Sequence, residues 1–278
     1  MINENTKIMA RFHSEANNRG MSIYNPYFKE TNTNAAYILF HNPDPTPLIE
    51  GLRNLNLAGA VPAGFEKDPK LVELVDELGP VAKRINRVAV LRYRDGKLTG
   101  FHQGGYALSE AISRKTDIDG KKMVIMGAGN VVRALLVYFE LNNITPDVEV
   151  YNRTLEKAEK IAEEFKCVNK IGNLQEMEQS TGDIFVNATY VGSPWLKGDS
   201  YEFKEKMIAG FEFISDVTFV PLKPALIELA EKLGKKNSPG WEMFLYQGKM
   251  CLEKALDIEV DEKILAKYVV NDFEHNWA

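Results

Sequence analysis

The sequence predicts an α/β protein of two domains, and three observations lead to this prediction. Apolar runs of strand length alternate with amphipathic stretches along most of the chain, a pattern typical of a parallel, doubly wound sheet. One strand-to-helix junction carries a glycine turn. The 278 residues exceed the usual length of one domain, and the 45% hydrophobic content is enough for a substantial core. We therefore predict an N-terminal α/β domain, a doubly wound domain, and C-terminal helices that pack back on the first domain.

The first part of the chain alternates between strand and helix patterns. The patterns predict helices over 22–31, 47–55 and 70–78, strands over 35–40, 57–61, 87–92 and 98–101, and a helix from Gly105 toward Arg114. Asp95-Gly96, between the last two strands, is a hairpin turn signal. The punctuation Asp117-Ile118-Asp119-Gly120 predicts that this domain covers residues 1–116.

The segment after this boundary reads as a buried strand, a glycine turn, a helix and a second strand. In such a unit the first glycine permits a tight turn, the second lets the backbone approach a pyrophosphate, and the N–H groups of the helix attract the anion. Gly127 and Gly129 occupy these two positions, with Ala128 and Asn130 beside them and Val132 at the third glycine position. The unit predicts a Rossmann-type dinucleotide site.

The end of the second strand indicates which dinucleotide binds. An NAD site usually presents an acidic residue there to the ribose hydroxyls, whereas this chain has Asn152, Arg153 and Thr154, followed by Lys157. A guanidinium can bind a 2′-phosphate through two hydrogen bonds. NADP is therefore predicted over NAD. The same residues also fit an ordinary helix start with an exposed arginine.

The remaining elements complete the doubly wound domain and the C-terminal part. The patterns predict helices over 155–165, near 174 and over 224–233, strands over 183–187 and 213–219, and final helices over 243–256 and 261–270. Pro239-Gly240 marks the end of the doubly wound domain. The NADP-binding domain is thus predicted over 117–239 and the C-terminal helices over 240–278.

Composition excludes several classes of partner. The formal charge of −5 is spread along the chain without a basic block, so we expect no nucleic-acid partner. Cys167 and Cys251 are the only cysteines and lack metal-site spacing, which predicts free thiols and no metal. No apolar run has the length of a signal peptide or a membrane span. A cytoplasmic protein without a membrane partner is the expectation.

Residues along nearly the whole chain match one family pattern. They are Asn25, Phe28-Lys29-Glu30, the segment 59–67, Asp76-Glu77-Leu78 with Ala82-Lys83, Arg94-Asp95-Gly96-Lys97-Leu98 with Gly100, Gly127-Ala128-Gly129, Asn152-Arg153-Thr154, Asn187-Ala188-Thr189 with Gly192, Asp216, Pro221, Gly240, Met243 and Gln247-Gly248. In these residues the chain resembles the shikimate dehydrogenase family. The resemblance implies an N-terminal substrate domain, an NADP-binding domain, and substrate in the cleft between them. It also implies reduction of 3-dehydroshikimate to shikimate with NADPH.

The resemblance assigns roles to individual residues. Lys67 is similar to the family's catalytic lysine, and a lysine beside a coenzyme can have the shifted pKa that proton transfer requires. Gln247 resembles the substrate-binding glutamine, and Met243 would lie beside the nicotinamide. Asn187 and Thr189 match residues that face the coenzyme. Taken alone, Lys67 between Glu66 and Asp68 would be a solvated surface charge, and a methionine in an apolar helix fills a core.

Several substrate positions depart from the family pattern. The positions of the family's two substrate serines fall near Asn18-Arg19-Gly20, with Ser14 or Ser22 as substitutes after a short insertion. Arg19 can supply a charge for a substrate carboxylate, although an exposed loop arginine is equally consistent with the sequence. Ala89 replaces an asparagine, and Phe219 replaces a tyrosine.

The family's Asn-Thr-Asp triplet is His102-Gln103-Gly104 here, so the aspartate that pairs with the catalytic lysine is missing. His102 can take over proton transfer or orientation, because histidine titrates near neutral pH. A satisfied imidazole at a strand end is the alternative.

We therefore predict an NADP-dependent shikimate 5-dehydrogenase acting on a small carboxylated substrate, as a monomer or homodimer. Loss of buried polar contacts weakens recognition of hydroxyl groups. The alternatives are a dehydrogenase for another small keto or hydroxy acid, or a noncatalytic NADP-binding sensor.

Overall fold

The computed structural model describes residues 2–14, 20–65, 68–196, 198 and 200–276. The chain divides into two compact units. The first comprises Met1–Gln103 with Gln247–Asp272, and the second comprises Gly104–Tyr246 with Phe273–Ala278. The α/β fold class is confirmed, whereas the functional division at 116/117 and 239/240 stays a prediction.

The sheet of the first unit is mixed. Its strands are β1 Lys7–His13, β2 Ala35–His41, β3 Gly59–Pro62, β4 Glu77–Leu78, β5 Val90–Arg94 and β6 Lys97–Phe101. The order is β2-β1-β3-β5-β6-β4, and only β5 runs against the other five. The carboxyl ends of those five strands and the amino end of β5 therefore lie at one edge, which we call the first carboxyl edge.

Four helices belong to the N-terminal part of this unit: α1 Met21–Glu30, α2 Pro45–Asn54, α3 Lys70–Glu73 and α4 Pro80–Ile85. Helix α2 begins where Asp44 accepts a hydrogen bond from the Thr46 N–H, and Pro45 fits the first turn because its missing N–H would have no helical partner. The apolar face of α2 packs against β1 in the core of this unit.

The sheet of the second unit is parallel throughout and doubly wound, as predicted. Its strands are β7 Lys122–Met126, β8 Asp147–Tyr151, β9 Val168–Gly172, β10 Gly182–Asn187, β11 Phe211–Asp216 and β12 Lys236–Ser238, in the order β12-β11-β10-β7-β8-β9. Its helices are α5 Gly104–Ser113, α6 Asn130–Asn142, α7 Leu155–Glu164, α8 Leu174–Met177, α9 Glu205–Ala209 and α10 Ala225–Lys232. All six strands end at a single edge, the second carboxyl edge.

The last two helices are α11 Gly240–Leu256 and α12 Glu262–Asn276. Within the first unit, Leu256 accepts a hydrogen bond from Lys7 at the start of β1, and Ala255 lies against Gly59 at the start of β3. Eight residues earlier, Gly248 lies against the Tyr24 hydroxyl. Helix α11 therefore runs antiparallel to β1, which directs its Gln247 end toward the first carboxyl edge.

Some element predictions were wrong. The helix predicted over 70–78 ends at Glu73 because the Asp76 carboxylate accepts a hydrogen bond from the Leu98 N–H at 2.6 Å, which draws the chain into β4 beside β6. Strand β1 was missed because Lys7, Arg11 and His13 interrupt its apolar pattern. The short elements α4, α9, β9 and β12 were missed as well. Across the described residues, no helix is both long and apolar enough to cross a membrane.

Candidate functional site

The second carboxyl edge brings together the predicted dinucleotide-binding residues. Gly127 follows β7 with φ of 119°, and its N–H donates to the Tyr151 carbonyl at 2.7 Å. A Cβ on Gly127 would lie 2.7 Å from the Ala188 carbonyl oxygen. Both the backbone conformation and the space therefore require glycine here.

Gly129 differs from Gly127 in what surrounds it. Its φ of −90° and ψ of −176° suit any residue, and a Cβ on it would meet no protein atom within 4 Å. Ala128 is half-buried, whereas Gly129 and Asn130 are exposed at the start of α6. No side chain caps this helix at Gly129. The fold therefore does not require a glycine at position 129. Close approach of a phosphate to the first turn of α6 does require one.

The end of β8 presents cations and a hydroxyl. The Asn152 side chain donates to the Thr154 carbonyl at 2.7 Å and shapes the turn, and Arg153, Thr154 and Lys157 are exposed. Thr154 occupies the N-cap position of α7, yet its hydroxyl makes no capping hydrogen bond. The arrangement fits a second phosphate at the start of α7. Helix capping alone does not explain a threonine at position 154, because its hydroxyl makes no capping hydrogen bond.

Asn187 is placed differently from its prediction as a direct coenzyme ligand. Its side chain is fully buried, donates to the Val191 carbonyl and to Asp216 Oδ1, and accepts hydrogen bonds from the N–H and hydroxyl of Thr189. This uses both amide hydrogens and both carbonyl lone pairs. Asn187 therefore positions the loop after β10, and the half-buried Thr189 lies on that loop.

Asp216 is a buried acid that the sequence reasoning did not assign to the site. Burial raises its pKa to about 7, although hydrogen bonds from the Thr218 N–H and Asn187 favour its ionised form. Its Oδ2 atom is buried without a hydrogen-bond partner among the described residues. A lone aspartate at a strand end gave no signal of this environment.

Helix α11 begins at the same edge, because Gly240 lies against the Thr218 carbonyl, where a Cβ would be only 2.3 Å from the oxygen. Met243 follows in its first turn and is buried, with 7% of its surface exposed. Phe219, at the family's tyrosine position, stacks on Phe273 with ring centroids 5.3 Å apart. This part of the edge is apolar.

The first carboxyl edge holds Ser14, one of the residues predicted to bind substrate. Ser14 follows β1 and is half-buried. The neighbouring His13 lies against Gly64, with Nε2 3.3 Å from where a Cβ on that glycine would be. The loop that leads toward Lys67 thus starts beside the end of β1. Lys67 itself and Arg19 lie outside the described residues.

Ser22 does not present a free hydroxyl. Its Oγ atom donates a hydrogen bond to Oδ1 of Asp272, a carboxylate that is only 1% exposed. A buried carboxylate at this distance repels another one. The hydrogen bond to Asp272 disfavours the predicted role of Ser22 in binding a substrate carboxylate, and that role stays a prediction.

His102 follows β6 and is half-buried. Burial, and secondarily the nearby charge of Arg87, lowers the pKa of its imidazole to about 4. The ring is therefore neutral at physiological pH, and it is not the imidazolium that a general acid requires. Of the two predicted roles for His102, the lowered pKa favours orientation or hydrogen bonding, and both roles stay predictions.

Gln247 is half-buried on α11. Arg87, which precedes β5 at the same edge and is half-buried, was not singled out by the sequence reasoning. The described residues contain no group of three or more His, Cys, Asp or Glu placed to hold a metal ion.

Comparison with known proteins finds relatives that match most of this chain. The model of the shikimate/quinate 5-dehydrogenase family matches residues 109–219. The NADP(+)-dependent shikimate dehydrogenase of Methanopyrus kandleri is 30% identical over 270 residues, which are 90% of this chain and 89% of the relative. The corresponding protein of Pyrococcus abyssi is 31% identical over 248 residues, covering 88% and 90% of the two chains.

A solved structure extends the similarity to three dimensions. The shikimate 5-dehydrogenase of Listeria monocytogenes, crystallised with shikimate and NAD, is 26% identical and superposes with a TM-score of 0.82 over 96% of this chain and 97% of that one. The match to the Methanopyrus kandleri relative, at 30% identity, covers 90% of this chain and 89% of that one. This chain therefore belongs to the shikimate dehydrogenase family.

Proposed function

We propose that this chain is an NADP-dependent dehydrogenase that interconverts 3-dehydroshikimate and shikimate. One observation at the second carboxyl edge carries the proposal. The start of α6 has no side-chain cap and no protein atom obstructs Gly129, and beside it the exposed cations Arg153 and Lys157 follow β8. A pyrophosphate fits the first and a 2′-phosphate fits the second. The names of both archaeal relatives specify NADP(+).

Each residue has a defined task in the proposed reaction. NADPH supplies the hydride when it is bound. Arg153, Thr154 and Lys157 bind its 2′-phosphate, and Asn130 with the start of α6 binds the pyrophosphate. Asn187 and Asp216 hold the loop that carries Thr189, and Met243 provides an apolar surface.

On the substrate side, Lys67 protonates the oxygen that becomes a hydroxyl, and Gln247 hydrogen-bonds the ring. Reduction of a ketone leaves an alkoxide, so a proton donor beside that oxygen is indispensable. Because burial lowers the pKa of His102 to about 4, Lys67 is the proposed acid.

A second candidate substrate is another small keto acid. It is favoured by Ala89 and Gly104, which offer no side-chain hydrogen bonds, and by Ser22, whose hydroxyl is engaged with Asp272. A carboxylated small molecule remains the substrate class in either case. The cytoplasmic location and the monomeric or homodimeric state remain predictions.

The test measures NADPH oxidation with 3-dehydroshikimate in wild type and in Lys67→Met. Turnover in wild type that falls by about a thousandfold in the variant, within the range for loss of a general acid, supports the proposal. Tight NADPH binding without turnover of 3-dehydroshikimate or related keto acids would instead support the sensor.

Coenzyme choice is tested separately. Arg153→Ala should weaken NADPH binding by about 10- to 100-fold, since a charged hydrogen bond contributes about 1.5–3 kcal/mol, and should leave NADH binding unchanged. Lys160→Ala, at an exposed position further along α7, is the matched control. Equal losses for NADPH and NADH would contradict the 2′-phosphate assignment.

A further inference from the structure

We propose that Gly198 positions the Arg153 guanidinium for the 2′-phosphate of the coenzyme and is therefore a determinant of the preference for NADP over NAD. This inference rests on the proposed function and deepens it. It adds a residue from the segment after β10 to a phosphate site otherwise built at the end of β8. Spacing within the βαβ unit does not reveal such a residue, because Gly198 lies outside that unit.

The contact between the two residues is direct. A Cβ built on Gly198 would lie 3.1 Å from Nη1 of Arg153, which is closer than an ordinary van der Waals contact. Gly198 also has a φ of 95°, a backbone conformation that residues with a side chain rarely adopt. The space beside the guanidinium and the backbone conformation therefore both favour glycine at this position.

The chain is anchored just before Gly198. The Trp195 ring lies against Phe219, with ring centroids 5.5 Å apart. The Leu196 N–H donates a hydrogen bond to the Ser193 carbonyl at 3.1 Å, and the Leu196 side chain packs against the hydrophobic core of the second unit. This side of Gly198 is therefore attached to the core.

The chain is anchored again just after Gly198. The ring of Tyr201 lies 5.2 Å from that of Phe203, and both side chains pack against the same core. Phe203 in turn contacts Phe185 of β10, with centroids 6.0 Å apart. Because the backbone is held on both sides, a methyl group added at Gly198 would displace the flexible end of Arg153 rather than the chain.

The orientation of the guanidinium matters for one coenzyme only. A guanidinium binds a phosphate through two parallel N–H···O hydrogen bonds, and this requires the planar group to face the phosphate oxygens. Arg153 is exposed, so its contact with Gly198 restricts a side chain that would otherwise sample many rotamers. NADH has a hydroxyl in place of the 2′-phosphate and gains little from this preorganisation.

Other glycines with positive φ show what a purely backbone role looks like. Gly120 and Gly234 have φ values of 68° and 66°, and a Cβ on either would meet no protein atom within 4 Å. Gly198 differs from both because its Cβ position adjoins a cation of the proposed coenzyme site. Gly234, which is exposed in the same unit, provides a matched control for the cost of a side chain at positive φ.

A double-mutant cycle on coenzyme binding tests the inference. Calorimetry gives the Kd values of NADPH and NADH for wild type, Gly198→Ala, Arg153→Ala and the double variant. Gly198→Ala should weaken NADPH binding about tenfold, as expected when one charged hydrogen bond is lost, and should change NADH binding less than about twofold. In the Arg153→Ala background it should change NADPH binding less than about twofold. A loss that is equal for both coenzymes, or that persists without Arg153, would overturn the inference.

A charge substitution at the same position gives a second test. Gly198→Asp places a carboxylate beside Arg153, whereas Gly198→Asn has nearly the same shape and backbone preference without the charge. The aspartate variant should bind NADPH about tenfold more weakly than the asparagine variant, because its carboxylate repels the phosphate and pairs with Arg153. NADH should bind the aspartate variant at least as tightly as the asparagine variant. Equal NADPH affinities would show that position 198 does not adjoin the phosphate and would overturn the inference.

Controls separate this inference from the proposed function. Gly234→Ala should leave the affinity for both coenzymes unchanged, and urea unfolding of each variant verifies that the protein is folded. If wild type binds no NADPH, or if Arg153→Ala weakens NADPH and NADH equally, the proposed phosphate site fails and the role of Gly198 fails with it. If Arg153→Ala discriminates between the coenzymes and Gly198→Ala does not, only the role of Gly198 is overturned.

Discussion

The side-chain amide of Asn187 donates a hydrogen bond to Oδ1 of Asp216 at 3.0 Å, between the last residues of the adjacent strands β10 and β11. The same Oδ1 accepts a hydrogen bond from the Thr218 N–H at 2.8 Å. One buried acid therefore joins the two loops that follow these strands. Because these loops belong to the proposed coenzyme site, the charge state of Asp216 affects both stability and binding.

Asp216→Asn should lose less stability than wild type as the pH rises from acidic to neutral values. Burial raises the folded-state pKa of Asp216 from 3.8 to about 7, so the unfolded state loses its proton first and stability falls as pH rises through this window. Relative to wild type, the variant should gain about 2–3 kcal/mol in free energy of unfolding between about pH 5 and about pH 8.

Urea unfolding at both pH values measures this gain. The isosteric amide keeps the acceptor for Asn187 and Thr218, so the variant removes the titration without removing these contacts. A constant stability difference across the range would show that Asp216 does not titrate in the folded protein.

Two alanine substitutions in the glycine turn should separate folding from coenzyme binding. Gly127→Ala places a Cβ 2.7 Å from the Ala188 carbonyl oxygen at a φ of 119°, and should cost more than about 2 kcal/mol of stability. Gly129→Ala meets no protein atom within 4 Å, so its stability should stay within about 0.5 kcal/mol of wild type.

NADPH titration then distinguishes the two positions. Gly129→Ala should weaken binding by at least about tenfold, since its methyl group occupies the space of the phosphate. Full NADPH affinity in Gly129→Ala would remove the main support for a pyrophosphate at this turn.

Asp76→Asn should destabilise the first unit. The Asp76 carboxylate accepts a hydrogen bond from the Leu98 N–H at 2.6 Å and pairs with Arg53 at 2.8 Å, and these contacts lower its pKa, with Arg53 the largest cause. The expected loss is about 1–2 kcal/mol at neutral pH, because the pair is partly solvent-exposed.

Thermal or urea unfolding checks this loss. Glu77→Gln, which removes only the exposed ion pair with Lys97, is the control and should cost less than about 0.5 kcal/mol. If the two variants lose the same stability, the backbone contact to Leu98 does not hold β4 in place.

Local patterns predicted the elements whose signals lie within a few neighbouring residues. Asp95 and Gly96 have φ values of 51° and 76°, which is the two-residue hairpin turn that their sequence indicated. The glycine turn before α6 is another such case. Strand β4, in contrast, depends on a hydrogen bond that the Leu98 N–H donates to the Asp76 carboxylate, 22 residues earlier in the chain. No local pattern contains that contact.

The same distinction applies to the candidate sites. Gly127, Gly129 and Arg153 form part of one contiguous βαβ unit, so their spacing in sequence revealed their role. The contact between Ser22 and Asp272, in contrast, joins residues 250 positions apart, so the sequence around Ser22 did not reveal it. Arg87 escaped notice because its nearness to His102 results from hairpin pairing, which the sequence around either residue does not display.

His102 should remain uncharged until the solution is distinctly acidic, which can be measured as stability and as an NMR titration. Its folded-state pKa is lowered from 6.5 to about 4 by burial and then by Arg87, so on acidification the unfolded state takes up the proton first. Stability is therefore lost as pH falls through this window, the opposite of the Asp216 effect. Relative to His102→Asn, wild type should lose about 2 kcal/mol between about pH 7 and about pH 4.5. A His102 imidazole that titrates near pH 6.5 in the folded protein would instead restore proton transfer as a role for this residue.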